Sequence, residues 1–418
     1  MAVEMQAEAA RSLSGRSSIY LDLFWMDDCI AKEIRDDVFI PWMLNQLAVS
    51  SDNTTLFIAH RAAIINVTMA NHGRIGDNPT IKWMQFDSEI TNLVRQSSSI
   101  QGDVFLAATM DGHVYGFMRS DEQAEFMLTL RLPNAVTDTI DRSVWGVTYL
   151  QNYPMVVTSS NTHLIALSDV MYPQRCYILE GHAHNIPSVN VSGDGRFLAS
   201  ASIDGTARVW DLSTRQLLYI ANKDFDAPVW AISFFPIQYV AASYLDMHNE
   251  QGIDNGDLSN CNDNLKSLNL IVFANEIHLF LASFDLSILD SYDFRSLPCR
   301  QYHFGHPCRG ILLRTLPALS LVLVACSAAR RVSLFRIVYD PETESNSPYH
   351  LKLLGPLSLF IDAQIIGMDI CSGHQDFNLP ESLWFWRLIQ LHSDGMLTCF
   401  NIRRSAGARE LDITPMII

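Results

Sequence analysis

Short runs of alternating apolar and polar residues, separated by turn residues, recur along the chain. The clearest example is residues 179–222, where three such runs follow one another: Pro187–Ser192, Phe197–Ser202 and Thr206–Trp210. Asp204-Gly205 lies between the second and third runs. An Asp-Gly pair between two alternating runs is typical of a hairpin, because glycine accepts the positive φ that the tight turn requires. The pattern therefore predicts consecutive antiparallel strands.

The same spacing from an Asp-Gly pair to an aromatic residue occurs three times, each time after an apolar run. The three places are Asp111-Gly112 to Phe117, Asp204-Gly205 to Trp210 and Asp394-Gly395 to Phe400. This spacing predicts seven units of strands and turns, with an error of one in the count, and few segments have helical periodicity. The predicted units cover roughly 42–90, 91–140, 141–178, 179–222, 223–300, 301–350 and 351–404.

The best-defined unit, 179–222, carries a characteristic dipeptide towards each end. Gly181-His182 opens its pattern and Trp210-Asp211 closes it. Gly-His followed by Trp-Asp within a unit of about 40–45 residues is the signature of a WD-repeat blade, and the segment closely resembles that family. The resemblance implies an all-β fold, a seven-bladed WD-repeat β-propeller over residues 18–404, whose four-stranded sheets close into a ring around a channel.

In WD-repeat proteins a histidine, a serine or threonine, an aspartate and a tryptophan form a hydrogen-bonded set inside the blade. The matching residues of this chain are His182, Ser200, Asp204 and Trp210. A buried carboxylate and a buried indole N–H need partners, and the histidine bridges them. The resemblance therefore implies that these four residues form a structural tetrad, and we predict no catalytic residue among them.

Four segments depart from the repeating pattern. Residues 1–17 and 405–418 are small or polar enough to be tails. Asp246–Asn264 is polar, acidic and without periodicity, which predicts a surface loop inserted into the fifth unit. Its acidic residues do not have the spacing of a calcium loop. Ser18–Trp25 is an apolar strand candidate, and we predict that it pairs with the seventh unit to close the ring and protect its edge.

Composition and charge narrow the function classes. Hydrophobic residues make up 48% and charged residues 18%, which favours a large buried core, and the net charge is −16. Because phosphates would be repelled by this surface, we expect no direct binding of nucleic acid. No apolar N-terminal region resembles a signal peptide, and no apolar run is long enough to cross a bilayer, so we expect an intracellular protein without a membrane partner. The eight cysteines lie mostly in apolar runs, which is typical of buried thiols in a reducing compartment.

One cluster could carry metal chemistry. Cys299, His303, His306 and Cys308 are four candidate zinc ligands, but their spacing fits no common structural zinc pattern. A turn between blades is the favoured interpretation, and we predict neither a metal nor a cofactor. Phosphate-loop, dinucleotide and nucleophile-elbow motifs are missing from the sequence. A propeller enzyme, with a site assembled from several blades at the channel, remains the alternative from a different class.

Two tryptophans are candidates for binding a partner protein. Trp145 in SVWG and Trp230 in PVWA begin two units in the same way, on the predicted innermost strand near one mouth of the channel. Tryptophan is enriched in interface hot spots because it buries a large area at low entropic cost. The alternative is that both rings pack between neighbouring blades.

The sequence of the best-defined unit resembles the fungal WD-repeat regulators of ribonucleotide reductase gene transcription. The resemblance lies in LEGHAHNIPSV followed by FLASASIDGTARVWDL. The resemblance implies a scaffold in a nuclear complex of the DNA-damage response. It also implies a link to a cullin-type ubiquitin ligase, with the chain as substrate receptor as the alternative function. Propellers that dock on the ligase adaptor often carry Trp-Asp-x-Arg. Ser213 stands where that arginine would be, and Arg403 has the arginine position without the Trp-Asp.

Overall fold

The computed structural model describes fifteen segments of the chain. They are residues 43–69, 81–98, 102–119, 124–131, 141–150, 153–221, 227–240, 269–296, 310–326, 331–343, 347–357, 364–372, 385–393, 395–404 and 411–416. These segments form seven antiparallel sheets of four strands each, and in every sheet the strands pair in chain order. The chain divides into two compact units, one with the first and seventh sheets and one with the other five.

The first sheet contains β1 (Leu47–Val49), β2 (Thr55–His60), β3 (Ala63–Thr68) and β4 (Ile81–Gln85). The second contains β5 (Ile90–Ser98), β6 (Gly102–Thr109), β7 (His113–Arg119) and β8 (Ala124–Arg131). The third contains β9 (Val144–Leu150), β10 (Met155–Ser160), β11 (Ile165–Asp169) and β12 (Cys176–Leu179). The fourth contains β13 (Ser188–Val191), β14 (Phe197–Ala201), β15 (Ala207–Asp211) and β16 (Gln216–Ile220).

The fifth sheet contains β17 (Val229–Pro236), β18 (Asn269–Asn275), β19 (His278–Ala282) and β20 (Ile288–Asp293). The sixth contains β21 (Ile311–Leu316), β22 (Leu321–Cys326), β23 (Arg331–Tyr339) and β24 (Tyr349–Leu357). The seventh contains β25 (Ile365–Ser372), β26 (Phe385–His392), β27 (Leu397–Arg404) and β28 (Leu411–Met416). A helical turn at 237–240 and two 3₁₀ turns, Phe294–Ser296 and Pro317–Leu319, are the helical elements of the described segments, and none could span a bilayer.

Burial changes from the middle strands of a sheet to its last strand. In the fourth sheet β15 is buried along its whole length, whereas β16 is exposed along its whole length. A middle strand has a neighbouring strand on each side, and neighbouring sheets cover both of its faces. Middle strands such as β22, with the sequence LVLVAC, are therefore continuously apolar rather than alternating.

In the five-sheet unit, the first strands of successive sheets lie side by side. Polar side chains on these strands bond to the backbone of the next sheet. The Nδ2 of Asn92 donates to the carbonyl of Trp145 at 2.7 Å, and the N–H of Phe234 donates to the Oδ1 of Asn190 at 2.9 Å. These bonds satisfy backbone groups that have no partner inside their own sheet.

In the two-sheet unit, the first and seventh sheets share one apolar core. Leu56 and Ile65 of the first sheet pack in the same cluster as Ile389 and Leu397 of the seventh. A hydrogen bond between a side chain of one sheet and the backbone of the other occurs here too: the N–H of Val49 donates to the Oδ2 of Asp369 at 2.8 Å.

Seven four-stranded antiparallel sheets in chain order are the blades of a β-propeller, and the predicted fold class is confirmed. The glycines of the three Asp-Gly pairs have φ of 92°, 78° and 82°. Asp246–Asn264 lies outside the described residues, in the interval between β17 and β18. Ser18–Trp25 and residues 1–17 also lie outside them, so their assignments stay predictions.

Two boundaries differ from those expected. The sixth unit ends at Leu357 rather than near residue 350, because β24 continues its ladder with β23 up to the pair Val332 and Leu357. The range 405–418 is not only a tail, because Leu411–Met416 pairs with β27 as the last strand of the seventh sheet. Leucine and isoleucine alternate with polar residues in Leu411-Asp412-Ile413-Thr414, a strand pattern too short to stand out in the sequence. A strand from Ser18–Trp25 would therefore be a fifth strand of that sheet.

Replacing Gly146 with alanine should destabilise the fold. A Cβ at this position collides with the Oγ of Ser159 and lies 3.0 Å from the backbone N of Val189 in the next sheet. We expect a loss of about 1–3 kcal/mol, typical of overpacking, measured by urea denaturation. Gly193→Ala is the control, since a Cβ there has no heavy atom within 4 Å. Equal midpoints for the two variants would contradict the close approach of the third and fourth sheets.

Candidate functional site

The structure brings the four predicted tetrad residues together in the fourth sheet. His182 lies in the segment before β13, Ser200 in β14, Asp204 in the turn that follows, and Trp210 in β15. The Nε1 of Trp210 is 2.9 Å from the Oγ of Ser200, and that Oγ is 2.8 Å from the Nε2 of His182. The Nδ1 of His182 is 2.9 Å from the Oδ2 of Asp204. The tetrad therefore connects both middle strands to the segment that enters the sheet.

The donors and acceptors fit one arrangement of protons. Trp210 can only donate, so Ser200 accepts its N–H and donates its own hydroxyl proton to the Nε2 of His182. The Nδ1–H of His182 then donates to Asp204. Burial lowers the pKa of His182 and outweighs the nearby carboxylate of Asp204, which raises it. The histidine is therefore neutral at physiological pH, with its proton on Nδ1.

Asp204 has more partners than the tetrad alone supplies. Burial by itself raises the pKa of Asp204, but hydrogen bonds from His182, Thr206 and the N–H of Ala183 together hold it far below its ordinary value. The N–H of Ala183 and the N–H of Thr206 lie 2.9 Å and 2.8 Å from its carboxylate oxygens. An aspartate held in this way is an ionised structural anchor, not a general acid or base.

Sequence analysis missed a fifth member of this network, Arg208. Its Nη2 is 3.7 Å from the Oδ2 of Asp204, and its Nε donates to the Oγ1 of Thr206 at 3.2 Å. The guanidinium also explains the glycine of the Gly-His pair. A Cβ on Gly181 would lie 2.6 Å from the Nη1 of Arg208, and Gly181 has φ of 147°. The available signal was the alternation of the polar Thr206 and Arg208 with the apolar Ala207 and Val209 in the TARVW segment.

The ring of Trp210 belongs to the apolar core between the third and fourth sheets. Leu150, Val157 and Leu179 of the third sheet pack in the same cluster. The tetrad thus supports the contact between two blades as well as the turn in its own blade. It is sealed from solvent, because the side chains of His182 and Asp204 are 1% and 7% exposed. A substrate would have no access to it.

In the third and fifth sheets, which have no full tetrad, other residues form the bond between the turn after the second strand and the start of the sheet. In the third sheet, the Nδ2 of Asn161 donates to the Oδ2 of Asp141 at 2.7 Å, which connects the turn after β10 to the segment before β9. In the fifth sheet, the Nε1 of Trp230 donates to the Oε1 of Glu276 at 3.3 Å and connects the turn after β18 to β17. Neither pair shares a recognisable motif with the fourth sheet, so neither was predicted.

Trp145 and Trp230 lie at one common edge of the third, fourth and fifth sheets. Backbone hydrogen bonds place this edge: the N–H of Ile186 donates to the carbonyl of Ser160 of the third sheet, and the N–H of Val229 of the fifth sheet donates to the carbonyl of Ser202. Both tryptophans are half-buried. We call the surface formed by Trp145, His163, His184, Trp230 and Glu276 the tryptophan edge.

The two tryptophans differ in their surroundings. Trp230 packs against the core between the fifth and sixth sheets, as the packing alternative predicted. Burial raises the pKa of its partner Glu276, although the hydrogen bond from Trp230 lowers it. The indole N–H of Trp145 is buried and has no hydrogen-bond partner among the described residues. Between the two tryptophans, the rings of His163 and His184 stack with their centroids 5.6 Å apart.

The candidate zinc ligands Cys299, His303, His306 and Cys308 lie outside the described residues. Within the described segments, no group of three or more histidine, cysteine or acidic side chains is placed to hold a metal ion. Cys176, Cys371 and Cys399 are free thiols, and burial raises the pKa of Cys399 to about 12 despite the charge of Arg387. Cys399 is therefore a protonated core residue rather than a nucleophile.

Comparison with known proteins agrees with this geometry. Residues 173–211 match the family model described as "WD domain, G-beta repeat", a range that contains the whole tetrad. A WD40 repeat-containing protein of Dictyostelium discoideum is 34% identical over 191 residues, which are 43% of this chain and 26% of that protein. A WD repeat-containing protein of Schistosoma mansoni is 33% identical over 94 residues, 22% of this chain and 31% of that protein.

A third relative is the U3 small nucleolar RNA-associated protein 21 homolog of Schizosaccharomyces pombe. It is 30% identical over 112 residues, 26% of this chain and 12% of that protein. The matches thus span less than a third of the length of each of these three relatives. A chain in the crystal structure of the mitotic checkpoint complex shares the fold, with a TM-score of 0.55 and 12% sequence identity, over 93% of this chain and 100% of that one.

The seven sheets form a seven-bladed β-propeller, and the fourth sheet, which carries the tetrad, matches a WD repeat. Propellers of this class are typically scaffolds on which other proteins assemble, and the fold by itself does not select a particular partner.

Replacing Asp204 with alanine should destabilise the fold strongly. The change removes the acceptor of the N–H of Ala183 and leaves the Nδ1–H of His182 and the N–H of Thr206 unpaired at buried residues. We expect a loss of about 2–4 kcal/mol, measured by urea denaturation at pH 7. Asp285→Ala is the control, because Asp285 accepts from Ser283 and Ser287 in an exposed turn and should cost less than about 1 kcal/mol. Equal losses would contradict the buried anchor.

His182 should make the stability of the fold depend on pH. Its pKa is lowered in the folded state, so unfolding below the ordinary value of 6.5 takes up a proton. The stability that His182 contributes is present above pH 6.5 and is lost as the pH falls towards its folded pKa. Between pH 6 and 5, the wild type should lose up to about 1.4 kcal/mol per pH unit more than His182→Gln. Parallel stability curves for the two proteins would refute a neutral buried histidine.

Proposed function

We propose that the chain is a non-catalytic protein-interaction scaffold that binds a partner protein through the tryptophan edge. The observation that carries this proposal is the position of Trp145 and Trp230. They lie at the same edge, on the two sheets that flank the WD-repeat blade, and both rings are half-buried. Half-buried tryptophans at a mixed aromatic and polar surface are typical of interface hot spots.

Polar side chains beside the two tryptophans support the proposal. The neighbouring groups offer polar contacts, because His184 is exposed and Glu276 is half-buried. The edge is also held rigidly, since the backbone bonds around Asn185 and Ser202 tie the three sheets together. A rigid surface loses little entropy on binding.

The proposed setting is a nuclear regulatory complex that controls ribonucleotide reductase gene transcription in the DNA-damage response. The resemblance of residues 179–212 to the fungal regulators supports it. Partial similarity to a protein named for association with a small nucleolar RNA also favours the nucleus. Comparison of ribonucleotide reductase transcripts after DNA damage, in cells with and without the chain, tests this setting. Equal transcript levels would contradict it.

A substrate receptor of a cullin-type ubiquitin ligase is the second candidate function. It rests on the same resemblance, but the Trp-Asp-x-Arg position does not favour it. Asp211 accepts hydrogen bonds from the backbone N–H groups of Ser213 and Thr214, so Ser213 closes a turn where an arginine would face the adaptor. A propeller enzyme is a remote third candidate, and an activity screen of the purified protein addresses it.

Replacing both Trp145 and Trp230 with alanine should abolish partner binding and lower the melting temperature, because Trp230 also packs against the core, while the protein stays folded. Each truncation at a hot spot removes at least about 2 kcal/mol of binding free energy. The test is affinity purification with mass spectrometry from cells that express each tagged variant, with the melting temperature measured in parallel. Trp83→Ala is the matched control, because Trp83 is 47% exposed on β4 and is not one of the residues that define the tryptophan edge.

Proteins recovered with the wild type and with Trp83→Ala should be missing from the double variant. Recovery of a cullin and its adaptor among them would favour the substrate-receptor function over the transcriptional scaffold. An unchanged partner set for the folded double variant would contradict the tryptophan edge. Loss of folding in both single variants would assign the rings to the core instead.

A further inference from the structure

A second surface, separate from the tryptophan edge, lies on the outer strand of the fourth sheet. All five residues of β16 are exposed, and four of them are apolar: Leu217, Leu218, Tyr219 and Ile220. Their exposed fractions run from 36% to 48%. Among the described residues, no further strand pairs with the outer side of β16. An exposed apolar edge strand is a ready template for an additional strand.

Two other outer strands, β20 and β24, are protected in ways that β16 is not. In the fifth sheet, β20 carries Asp290, whose Oδ2 accepts the N–H of Leu351 from β24 at 2.6 Å, so β20 and β24 cover each other. The sequence of β24 also contains Lys352 and Pro356. By contrast, Gln216–Ile220 contains no charged residue and no proline. Charged residues and proline are the usual means of blocking an edge.

Arg215 immediately precedes β16, and Arg175 immediately precedes β12 of the third sheet. The guanidinium of Arg215 lies 3.4 Å from the ring centroid of Tyr177, and that of Arg175 lies 4.5 Å from the ring centroid of Tyr172. Arg175 and Tyr177 are two residues apart on an extended segment, so both side chains are on the same face. Neither guanidinium has a carboxylate within 4.0 Å among the described residues.

The carboxylates of the neighbouring turns point to their own backbone. Asp169 accepts the N–H groups of Met171 and Tyr172, and Asp211 accepts those of Ser213 and Thr214. Arg215 itself has φ of 59°, a conformation that glycine adopts without strain and arginine does not. Arg215 therefore occupies a position where the backbone favours glycine, and its guanidinium N–H groups can donate to an external acceptor.

We infer that β16, together with Arg215 at its start and Arg175 of the third sheet, binds an extended segment of another protein by strand addition. The segment carries apolar residues at alternate positions and a carboxylate at the end that meets the arginines. Backbone hydrogen bonds to β16 supply affinity, and the apolar and acidic side chains supply specificity. A second copy of this chain fits less well, because its own Gln216–Ile220 has no carboxylate to meet the arginines.

The test is selection of displayed random peptides of about twelve residues on the purified full chain. Selected sequences should alternate apolar residues and carry aspartate or glutamate at one end. A synthetic selected peptide should bind at least about tenfold more weakly to Arg175→Ala/Arg215→Ala, and its binding should be lost with Leu218→Lys/Ile220→Lys. Methylation of alternate backbone nitrogens in the peptide should also abolish binding, because it removes the donors of a strand ladder.

Two controls separate binding from folding. Arg215→Gly removes the guanidinium and relieves the positive φ, so it should keep or raise the melting temperature while weakening the peptide at least about tenfold. Ile288→Lys changes an exposed apolar residue of β20 and should bind as the wild type does. The double alanine variant of Trp145 and Trp230 should also bind the peptide normally, since this surface is independent of the tryptophan edge.

Four outcomes would overturn the inference. They are failure to enrich any peptide, selected peptides without acidic residues, equal binding by the arginine variants, and a wild-type dimer in light scattering that becomes monomeric with Leu218→Lys/Ile220→Lys. The last outcome would assign the strand to self-association instead.

Discussion

Every sheet in this protein is too small to bury its own apolar faces, and its neighbours must cover them. Trp210 and Leu150 pack in one core although they belong to different sheets, and Leu56 packs with Ile389 in the same way. Burial of apolar area at about 25 cal/mol per Å² is the main favourable term, but it has no direction. What positions each sheet against the next is a set of side-chain to backbone hydrogen bonds between first strands, such as Asn190 with Phe234 and Asp369 with Val49.

This arrangement explains why the tetrad belongs to the structure rather than to catalysis. The same contact that buries Trp210 between two sheets also excludes solvent from His182 and Asp204, so the network holds a turn and an interface at once. Its carboxylate is ionised because hydrogen bonds stabilise the charge, and its histidine is neutral because burial lowers its pKa. Sheets without the tetrad reach the same end with Asp141 and Asn161, or with Trp230 and Glu276. What these sheets share is a hydrogen bond between the turn after the second strand and the first strand or the segment before it, and the residues that form this bond differ.

The surfaces left for partners lie where this mutual covering stops. At the tryptophan edge, turns and entering segments of three sheets meet, and side chains there are half-buried rather than sealed. At β16, one outer strand lacks the charges, proline and neighbouring strand that protect β20 and β24. The two surfaces offer different chemistry, since one presents aromatic and polar groups on rigid turns and the other presents an unpaired backbone beside two arginines.

The sequence by itself determined the repeating strands and the three Asp-Gly turns and predicted seven units to within one, and its resemblance to WD-repeat proteins indicated the members of the tetrad. These features depend on residues close together in the chain, where alternation and a positive φ have few solutions. Only the tertiary structure decided that Arg208 joins the tetrad, that Glu276 holds Trp230, that β24 extends to Leu357, and that Leu411–Met416 is a strand. It also decided which outer strand stays uncovered. The reason is that these outcomes depend on which backbone and side-chain groups, distant in the sequence, face each other after the sheets pack. The local pattern of apolar and polar residues does not predict those contacts.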